Sequence, residues 1–409
     1  MRKFESQALF GTHEKWQSGI TRFGDLPVKS NEIRSEFSRD YTRILHCKAY
    51  RRLKHKTQVF FATCNDHVCT RMEHVNHVES ISSIISNYFG LNVELASAIA
   101  LGHDLGHAPF GHTGERVLEK LAKSQIEEEF WHEGNSLRFV DHIETLEDDD
   151  RLERNLCLTY AVRDGIICHC GEIDDLKLIP RSEASDLKNI VRDRQPPPFT
   201  WEGCVVKFAD KIAYLGRDIE DALALRILEE DQIRQLRELN VFEVSKKIPS
   251  PGINNTKLIS VLIADLCENS DPQNGICFSN NQYDLVKGIK KFSYDNIYKH
   301  PRILIFEKYA ELIMNSIYDT LLRQFDGLKT LERLNAKFKA LYPDLSKTFV
   351  DWLKKYSNID LRLRPQLFHF DVLYNLENEV DYKKAIIEYI SAMTDSYAIK
   401  VFLELIAFE

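Results

Sequence analysis

The sequence predicts an all-α protein. Apolar residues recur every three or four positions from Ser38 onwards, which is the spacing of helices with one buried face. Alternation of apolar and polar residues, which would indicate strands, extends over a few residues at most, and no segment repeats. Of the 409 residues, 44% are hydrophobic and 28% are charged, as in ordinary globular proteins. This composition excludes a disordered chain, a collagen and a coiled-coil rod.

The clearest helices are predicted in the first third of the chain. One apolar stripe is formed by Val75, Val78, Ile81, Ile85 and Phe89. Gly90 ends that helix, and a second helix over 91–103 begins with Asn92 as its N-cap. Glycine and proline residues predict a loop over 105–113, and the next helix is predicted over 115–123.

Helices alternate with loops rich in proline and glycine in the rest of the chain. Helices are predicted over 137–142, 205–230, 301–336, 345–357 and 380–405, and 155–170 is another apolar run. A charged connector is predicted at 174–203, and surface loops are predicted at 244–260 and 269–282. We expect an irregular segment over 1–35, a core over 36–240 and a helical C-terminal region over 241–409 packed on that core. A single continuous bundle fits the pattern equally well.

Charge and cysteine content restrict the class of protein. The 62 acidic residues outnumber the 54 basic ones, so the net charge is −8, which does not favour general nucleic-acid binding. No run approaches the roughly 18 apolar residues of a membrane helix, and the N-terminus lacks a secretion signal. The nine cysteines show no CxxC pair, which is typical of reduced thiols in a cytoplasmic protein.

Histidines are clustered in one part of the sequence. Six of the 14 fall in a short stretch, and these are His67, His74, His77, His103, His107 and His112. A single histidine is usually a core or surface residue. A cluster interleaved with Asp104 and Glu115 indicates a metal site or a proton-transfer site.

Four residues are candidate metal ligands. His103 and Asp104 close an apolar helix, where both side chains can reach one cation, and His74 lies on the preceding helix. Asp210 follows an apolar run on a different helix, and a buried carboxylate is costly unless it is paired or binds a metal. Two imidazoles and two carboxylates suit Mn²⁺, Fe²⁺, Co²⁺, Ni²⁺ or Zn²⁺ better than Ca²⁺.

Asp210 belongs to a polar row on its helix. Asp210, Tyr214 and Asp218 are spaced four residues apart, so they lie on one face of the helix and are directed at one pocket. The alternative is a solvated polar face that includes Arg217 and Asp221.

Several segments around these residues resemble the HD superfamily of metal-dependent phosphohydrolases, and specifically the dGTPase-type deoxynucleoside triphosphate triphosphohydrolases. The matching segments are AYRRLKHKTQVF at 49–60, TRMEH at 70–74, GHDLGHAPFGHTGE at 102–115, DKIAY at 210–214 and AMTDSYA at 392–398. The resemblance covers roughly 36–230 and a block near 388–400, whereas 240–380 carries little that matches. Lys211 and Ser396 depart from the acidic residue and the arginine that many bacterial members have there.

The resemblance implies an HD-domain helical bundle with a helical C-terminal extension. It also implies hydrolysis of deoxynucleoside triphosphates, with dGTP as the favoured substrate, to deoxynucleoside and inorganic triphosphate. His74, His103, Asp104 and Asp210 match the metal ligands of the family. His112 with Glu115 would supply the proton for the leaving 5′-oxygen. His107 would contact phosphate, and His132 is a further relay candidate.

The substrate contacts are implied in the same way. Arg71, Lys211 and Arg51 or Arg52 match positions that bind the triphosphate. Gln58 and Asp218 would bind the 3′-hydroxyl, while Tyr214 would stack below the ribose and leave no room for a 2′-hydroxyl.

The cofactor and partners follow from the resemblance as well. A divalent ion is expected, with Mn²⁺ favoured over Mg²⁺, Fe²⁺, Co²⁺, Ni²⁺ or Zn²⁺. A homo-oligomer is expected, with a dNTP effector or single-stranded DNA as a further partner and no membrane association. Two alternatives stay open, namely another HD phosphohydrolase (a nucleotidase or a phosphodiesterase) and a nucleotide-sensing or nucleic-acid-binding HD module. The basic run 51–56 could also be a nuclear-signal-like motif or a nucleic-acid patch.

Overall fold

The computed structural model describes residues 2–27, 31–61, 67–149, 151–170, 176–238, 254–359, 361 and 364–407. The predicted all-α class is confirmed. The α-helices are α1 (Trp16–Ile20), α2 (Glu36–His46), α3 (Lys48–Arg52), α4 (Arg71–Phe89), α5 (Val93–Gly102), α6 (Gly111–Gln125), α7 (His132–Arg138), α8 (Tyr160–Ile167), α9 (Trp201–Ala224), α10 (Glu230–Glu238), α11 (Asn255–Asn269), α12 (Asn280–Ser293), α13 (Pro301–Leu322), α14 (Thr330–Arg333), α15 (Lys339–Leu341), α16 (Pro343–Tyr356), α17 (Glu379–Ser391) and α18 (Asp395–Ile406).

Shorter elements connect these helices. Turns of 3₁₀-helix lie at Glu5–Gln7, Leu53–His55, Leu187–Asn189, Arg192–Arg194 and Arg364–Gln366, and π-helical turns at Phe139–Ile143, Tyr294–Tyr298 and Leu334–Phe338. The strands are β1 (Thr145–Glu147), β2 (Glu153–Asn155), β3 (Lys177–Leu178), β4 (Ile276–Cys277) and β5 (Phe368–His369). β2 pairs antiparallel with β1 and parallel with β5, and β3 pairs antiparallel with β4.

Helix α5 is the centre of the core. It packs against α2, α4, α8 and α9, and its residues from Leu95 to Gly102 are all buried. A helix that is apolar on every side is stable only when neighbours surround it. The predicted stripe of α4, from Val75 to Phe89, is buried against this helix and α9. Because these three helices pack together, the residues at their facing surfaces and ends are brought into one region.

Capping residues fix three ends of α4 and α5, of which the end of α4 at Gly90 and the start of α5 at Asn92 were predicted. Thr70 and Glu73 form a capping box at the start of α4, and Gly90 ends it in the left-handed conformation with φ 82°. The Asn92 side chain accepts a hydrogen bond from the N–H of Leu95, which starts α5. The two helices that precede the candidate ligand pair therefore begin and end where local sequence signals place them.

The boundaries of α6 and α9 differ from the predicted ones. α6 begins four residues earlier, because Phe110 and Gly111 adopt positive φ angles of 62° and 55° and turn the loop directly into the helix. α9 also begins four residues earlier, after its N-cap Thr200. It ends at Ala224 rather than at residue 230, because Arg226 has a φ of 55°, which a right-handed helix does not admit.

Three other predicted helices are interrupted or extended. The helix predicted over 137–142 begins earlier, as α7, and continues through a π-helical turn. The helix predicted over 301–336 is broken after α13 by a turn that includes Gly327, whose φ is 56°. The helix predicted over 380–405 is divided into α17 and α18, because Thr394 caps a new helix with its side chain.

The predicted loops contain regular structure. α11 begins inside the segment 244–260, where Asn254 is its N-cap, and residues 239–253 lie outside the described residues. The segment 269–282 contains β4 and the start of α12, and the connector 174–203 contains β3 and two 3₁₀ turns.

The C-terminal helices pack against the helices of the core. α11 and α12 contact α9, while α13 and α17 contact α6, and α13 also contacts α17 and α18. The boundary predicted between residues 240 and 241 lies outside the described residues, and the three-part division stays a prediction. Within the described part of the chain, no helix combines the length and the apolar character needed to cross a bilayer.

Candidate metal centre and active site

Three packed helices bring the four predicted ligands together. His74 lies in the first turns of α4, His103 and Asp104 directly follow α5, and Asp210 lies in the middle of α9. The Asp210 Oδ1 is 3.0 Å from the His74 Nε2 and 3.9 Å from the His103 Nε2. The His103 Nε2 is 3.6 Å from the Asp104 Oδ1. We refer to these four residues as the metal-ligand cluster.

The state of His103 fits a metal ligand. Its Nδ1 lies 2.7 Å from the carbonyl oxygen of Ala100 and donates to it, which leaves a lone pair on Nε2. That Nε2 is buried and, within the described part of the chain, has no hydrogen-bond partner. Burial lowers the pKa of His103 to about 4, so the imidazole is neutral, as metal binding requires. A buried acceptor without a donor is costly, and a cation beside it would remove that cost.

The two carboxylates of the metal-ligand cluster are ionised although they are buried. Burial raises the pKa of Asp104, but the Arg71 guanidinium, 2.6 Å away, and the nearby histidines hold it well below its usual range. For Asp210, the hydrogen bond and charge of His74 outweigh burial and lower the pKa to about 2. Two anionic oxygens next to two imidazole nitrogens form a donor set suited to a divalent transition metal.

A second cluster adjoins the first at the start of α6 and α7. The carboxylate of Glu115 lies 3.4 Å from the His112 Nδ1 and 3.1 Å from the His132 Nδ1. The rings of His107 and His132 stack with centroids 4.3 Å apart. We refer to His107, His112, Glu115 and His132 as the histidine–glutamate cluster. Ligand atoms of Asp104, His107 and His132 lie within 4.8 Å of one another, so the two clusters are continuous.

The histidines of the histidine–glutamate cluster differ in protonation state and in exposure. Burial lowers the pKa of His132, but Glu133 and Glu115 raise it to about 10. Burial and Arg71 hold the pKa of His107 well below its usual range, so this imidazole is neutral. His112 is different from both, because 52% of its side chain is exposed. It is therefore the member of the cluster that a ligand can reach from solvent.

The predicted phosphate contacts occupy different environments. Arg71 is buried and contacts Asp104 through Nη1, whereas its Nε and Nη2 have no hydrogen-bond partner among the residues that the structure describes. Lys211 is also buried, next to Asp210 in the sequence, with its Nζ 5.9 Å from the centroid of the Phe208 ring. Among the described residues, Arg52 pairs with Glu144 at 2.6 Å rather than with a member of either cluster, and its role stays a prediction.

The predicted sugar contacts lie on α9 and before α4. Asp218 is buried, and its Oδ2 accepts a hydrogen bond from the hydroxyl of Tyr298. Tyr214 is partly buried on the same face of α9. Among the described residues, the side-chain oxygen of Gln58 is buried without a hydrogen-bond partner. The backbone carbonyl oxygen of Gln58 packs against Gly111 at the start of α6.

Two residues near the site were not predicted from the sequence. His169 is buried, with its ring 4.8 Å from that of His103 and 5.7 Å from that of His132. The signal for it is present, because it follows the apolar helix α8 as His103 follows α5. Tyr298, which contacts Asp218, lies in a stretch with no motif, and no local signal identifies it.

Comparison with known proteins gives a consistent result. The HD domain family matches residues 71–215. A deoxyguanosinetriphosphate triphosphohydrolase-like protein of Desulfatibacillum aliphaticivorans is 34% identical over 331 residues, which cover 80% of this chain and 85% of that protein. Proteins of the same description are 35% identical in Caldanaerobacter subterraneus subsp. tengcongensis (70% of this chain, 72% of the relative) and 31% identical in Ralstonia nicotianae (92% and 89%). The chain therefore belongs to the deoxyguanosinetriphosphate triphosphohydrolase-like family of HD-domain hydrolases.

Proposed function

We propose that the protein hydrolyses deoxynucleoside triphosphates to deoxynucleoside and inorganic triphosphate with a divalent metal ion, with dGTP as the favoured substrate and Mn²⁺ as the favoured ion. One observation carries the proposal, namely that the buried metal-ligand cluster is continuous with the histidine–glutamate cluster. Names of relatives that are 31–35% identical over most of the chain support the substrate class.

His74, His103, Asp104 and Asp210 would hold the ion. A divalent ion polarises a phosphoryl oxygen and lowers the pKa of a water molecule at neutral pH. Neutral His103 and ionised Asp104 and Asp210 provide one imidazole nitrogen and two anionic oxygens without any further proton transfer. Burial lowers the pKa of His74, but its hydrogen bond to Asp210 and the charge of that carboxylate raise it above its ordinary value, so His74 would release its Nε2 proton when the ion binds. The site is thus prepared for the ion by its own hydrogen bonds and charges.

The histidine–glutamate cluster would supply the proton that the leaving 5′-oxygen needs. In the proposed step, a bond forms between a water oxygen and the α-phosphorus, and the bond from that phosphorus to the 5′-oxygen breaks. The 5′-oxygen then needs a proton, which we assign to His112, because it is half-exposed while its Nδ1 faces Glu115. Glu115 also accepts a hydrogen bond from the backbone N–H of His132 and contacts the Nδ1 of that ring. Its carboxylate is therefore fixed between the two imidazoles. His107, neutral and buried, would contact the phosphates.

Arg71 and Lys211 would neutralise part of the charge of the triphosphate. Arg71 has two guanidinium nitrogens without partners, which is an uncommon state for a buried arginine and suits a phosphate oxygen. Gln58, which has an unpaired buried oxygen, and Asp218 would bind the 3′-hydroxyl, with Tyr214 below the ribose. Homo-oligomerisation and a dNTP effector or single-stranded DNA partner stay predictions from the family resemblance.

The first experiment is product analysis with the Mn²⁺-loaded protein and each of the four dNTPs and GTP. Separation by anion exchange should show deoxynucleoside and intact triphosphate from a dNTP, with GTP spared. Asp210→Asn, purified in parallel, is the matched control for contaminating hydrolases. Monophosphate with pyrophosphate, or single phosphates, would indicate another HD phosphohydrolase. Absence of turnover with salt-sensitive binding of single-stranded DNA would indicate a binding module.

A further inference from the structure

Two segments next to the site, at Thr57 and at Phe110, are hydrogen-bonded to the start of α18. Asp395, the first residue of α18, is buried, and its Oδ1 accepts the N–H of Phe110 at 2.9 Å. Its Oδ2 accepts the N–H of Thr57 at 3.1 Å and the Thr57 hydroxyl at 2.7 Å. One carboxylate therefore joins the segment before Gln58 to the turn before His112.

Lys56 makes a parallel connection. It is 1% exposed, and its Nζ donates to the carbonyl oxygen of His107 and, at 3.0 Å, to that of Ser391 at the end of α17. The Lys56 carbonyl oxygen also accepts the N–H of Arg71, 3.0 Å away, at the start of α4. We refer to Lys56, Thr57 and Asp395 as the clamp. Its contacts reach the backbone on both sides of the turn at residues 108–109.

The turn that the clamp holds is strained. Phe110 and Gly111 are consecutive residues with positive φ, and Phe110 is not glycine, so this conformation needs support from its surroundings. The N-terminus of α6 has no side-chain cap of its own. A Cβ on Gly111 would lie 3.3 Å from the Gln58 carbonyl oxygen and 3.6 Å from the Arg71 Nη2, so the turn packs directly against both candidate substrate contacts. His112 follows immediately.

We propose that Asp395 is a positioning residue, which holds the turn at Phe110 and the segment at Thr57 so that His112 and Gln58 face the same substrate. The C-terminal helix pair α17–α18 thereby sets the geometry of a site whose ligands lie elsewhere. This inference rests on the proposed function for its kinetic consequence, whereas the contacts themselves can be tested without turnover.

The test compares Asp395→Asn with Thr57→Val, which removes one hydroxyl from the clamp and leaves the carboxylate. We expect Asp395→Asn to lower kcat by about 10- to 100-fold, as expected when a reacting group is displaced by about 1 Å, with a smaller change in KM. Thr57→Val should lower kcat less. Bound Mn²⁺ should stay unchanged in both, because no member of the metal-ligand cluster contacts Asp395 within the described residues. Ser396→Ala, at an exposed neighbouring position, is the matched control.

A second readout separates positioning from general destabilisation. In a His112→Ala background, Asp395→Asn should lower kcat much less than it does in the wild type, because His112, one of the two groups that it positions, is already absent and only the effect through Gln58 remains. Hydrogen exchange should accelerate at the Phe110 and Thr57 amides and stay slow in α4 and α5. Additive losses of kcat, unchanged exchange at both amides, or loss of Mn²⁺ from Asp395→Asn would overturn the proposal. If the wild-type protein turns over no dNTP, the proposed function fails, and amide exchange still decides whether the clamp exists.

Discussion

The two clusters of the site are held by different kinds of contact. The metal-ligand cluster lies on α4 and α9 and directly after α5, three helices that pack against one another through apolar faces, and its members are almost completely buried. The turn that leads into the histidine–glutamate cluster is held by polar contacts from Asp395, which is 285 residues away from Phe110 in the chain. The metal-ligand cluster therefore depends on the packing of the core, whereas the orientation of His112 depends on the C-terminal region. Substitutions in the metal-ligand cluster should therefore remove the metal, whereas substitutions of the clamp should slow turnover while the metal stays bound.

The largest effect is expected at the metal-ligand cluster. Asp210→Asn should remove bound metal and lower the rate of dNTP hydrolysis by about 10³-fold or more, because metal stabilisation of the transition state is worth several kcal/mol. Metal analysis of the purified variant, alongside steady-state rates, is the measurement. Full metal content would exclude Asp210 as a ligand.

Asp104→Asn sharpens the comparison within the metal-ligand cluster. We expect the same loss of metal and also a lower melting temperature, because the buried Arg71 loses its anion, which typically costs about 3–5 kcal/mol. Asp210→Asn should have a smaller effect on stability, because an amide oxygen can still accept from His74. Equal melting temperatures for the two variants would contradict the stabilising role of the Arg71–Asp104 pair.

His112→Ala tests the histidine–glutamate cluster alone. We expect metal content and dNTP binding to be retained and turnover to fall by about two to four orders of magnitude, since a general acid is lost. Because His112 is half-exposed, we expect only a small change in stability. A rate equal to that of the wild type would assign the proton to another group, and His132 would be examined next.

A smaller kinetic effect is expected at the sugar end. Tyr298→Phe removes the hydroxyl that donates to Asp218 and should weaken discrimination between a dNTP and its 3′-deoxy analogue by a few-fold, the size of one neutral hydrogen bond. The ratio of kcat/KM for the two substrates is the measurement. An unchanged ratio would mean that Asp218 does not read the 3′-hydroxyl or does not need Tyr298 to do so.

The last prediction concerns stability rather than activity, and it is a pH-dependent effect at Asp218. Burial raises its pKa to about 6 from the ordinary 3.8, so the folded protein binds this proton more tightly than the unfolded chain. Stability should therefore fall as pH rises from about 4 to 6 and stay low above it. Asp218→Asn should raise the free energy of unfolding by about 2–3 kcal/mol at pH 7.5, and the gain should disappear near pH 4. A constant gain at both pH values would refute this origin. Denaturant titrations at the two pH values measure it.

Much of the site was accessible from sequence because its signals are local. His103 and Asp104 end an apolar helix whose cap, Asn92, is also local, and the structure places them with His74 and Asp210. His169 carries the same local signal, a histidine after an apolar helix, and would have been found by applying that rule to α8. Tyr298 and the clamp could not be found in this way, because nothing near them in the chain marks their partners.

The sequence by itself determined the all-α class, the end of α4, the start of α5 and the residue types from which a metal centre can be built. These features follow from apolar periodicity, caps and the chemistry of imidazole and carboxylate, all of which act over a few residues. The tertiary structure decided which carboxylates are ionised, that Arg52 pairs with Glu144, and that Asp395 supports the turn before His112. Such outcomes depend on burial and on contacts between distant segments, and neither is encoded in the local pattern.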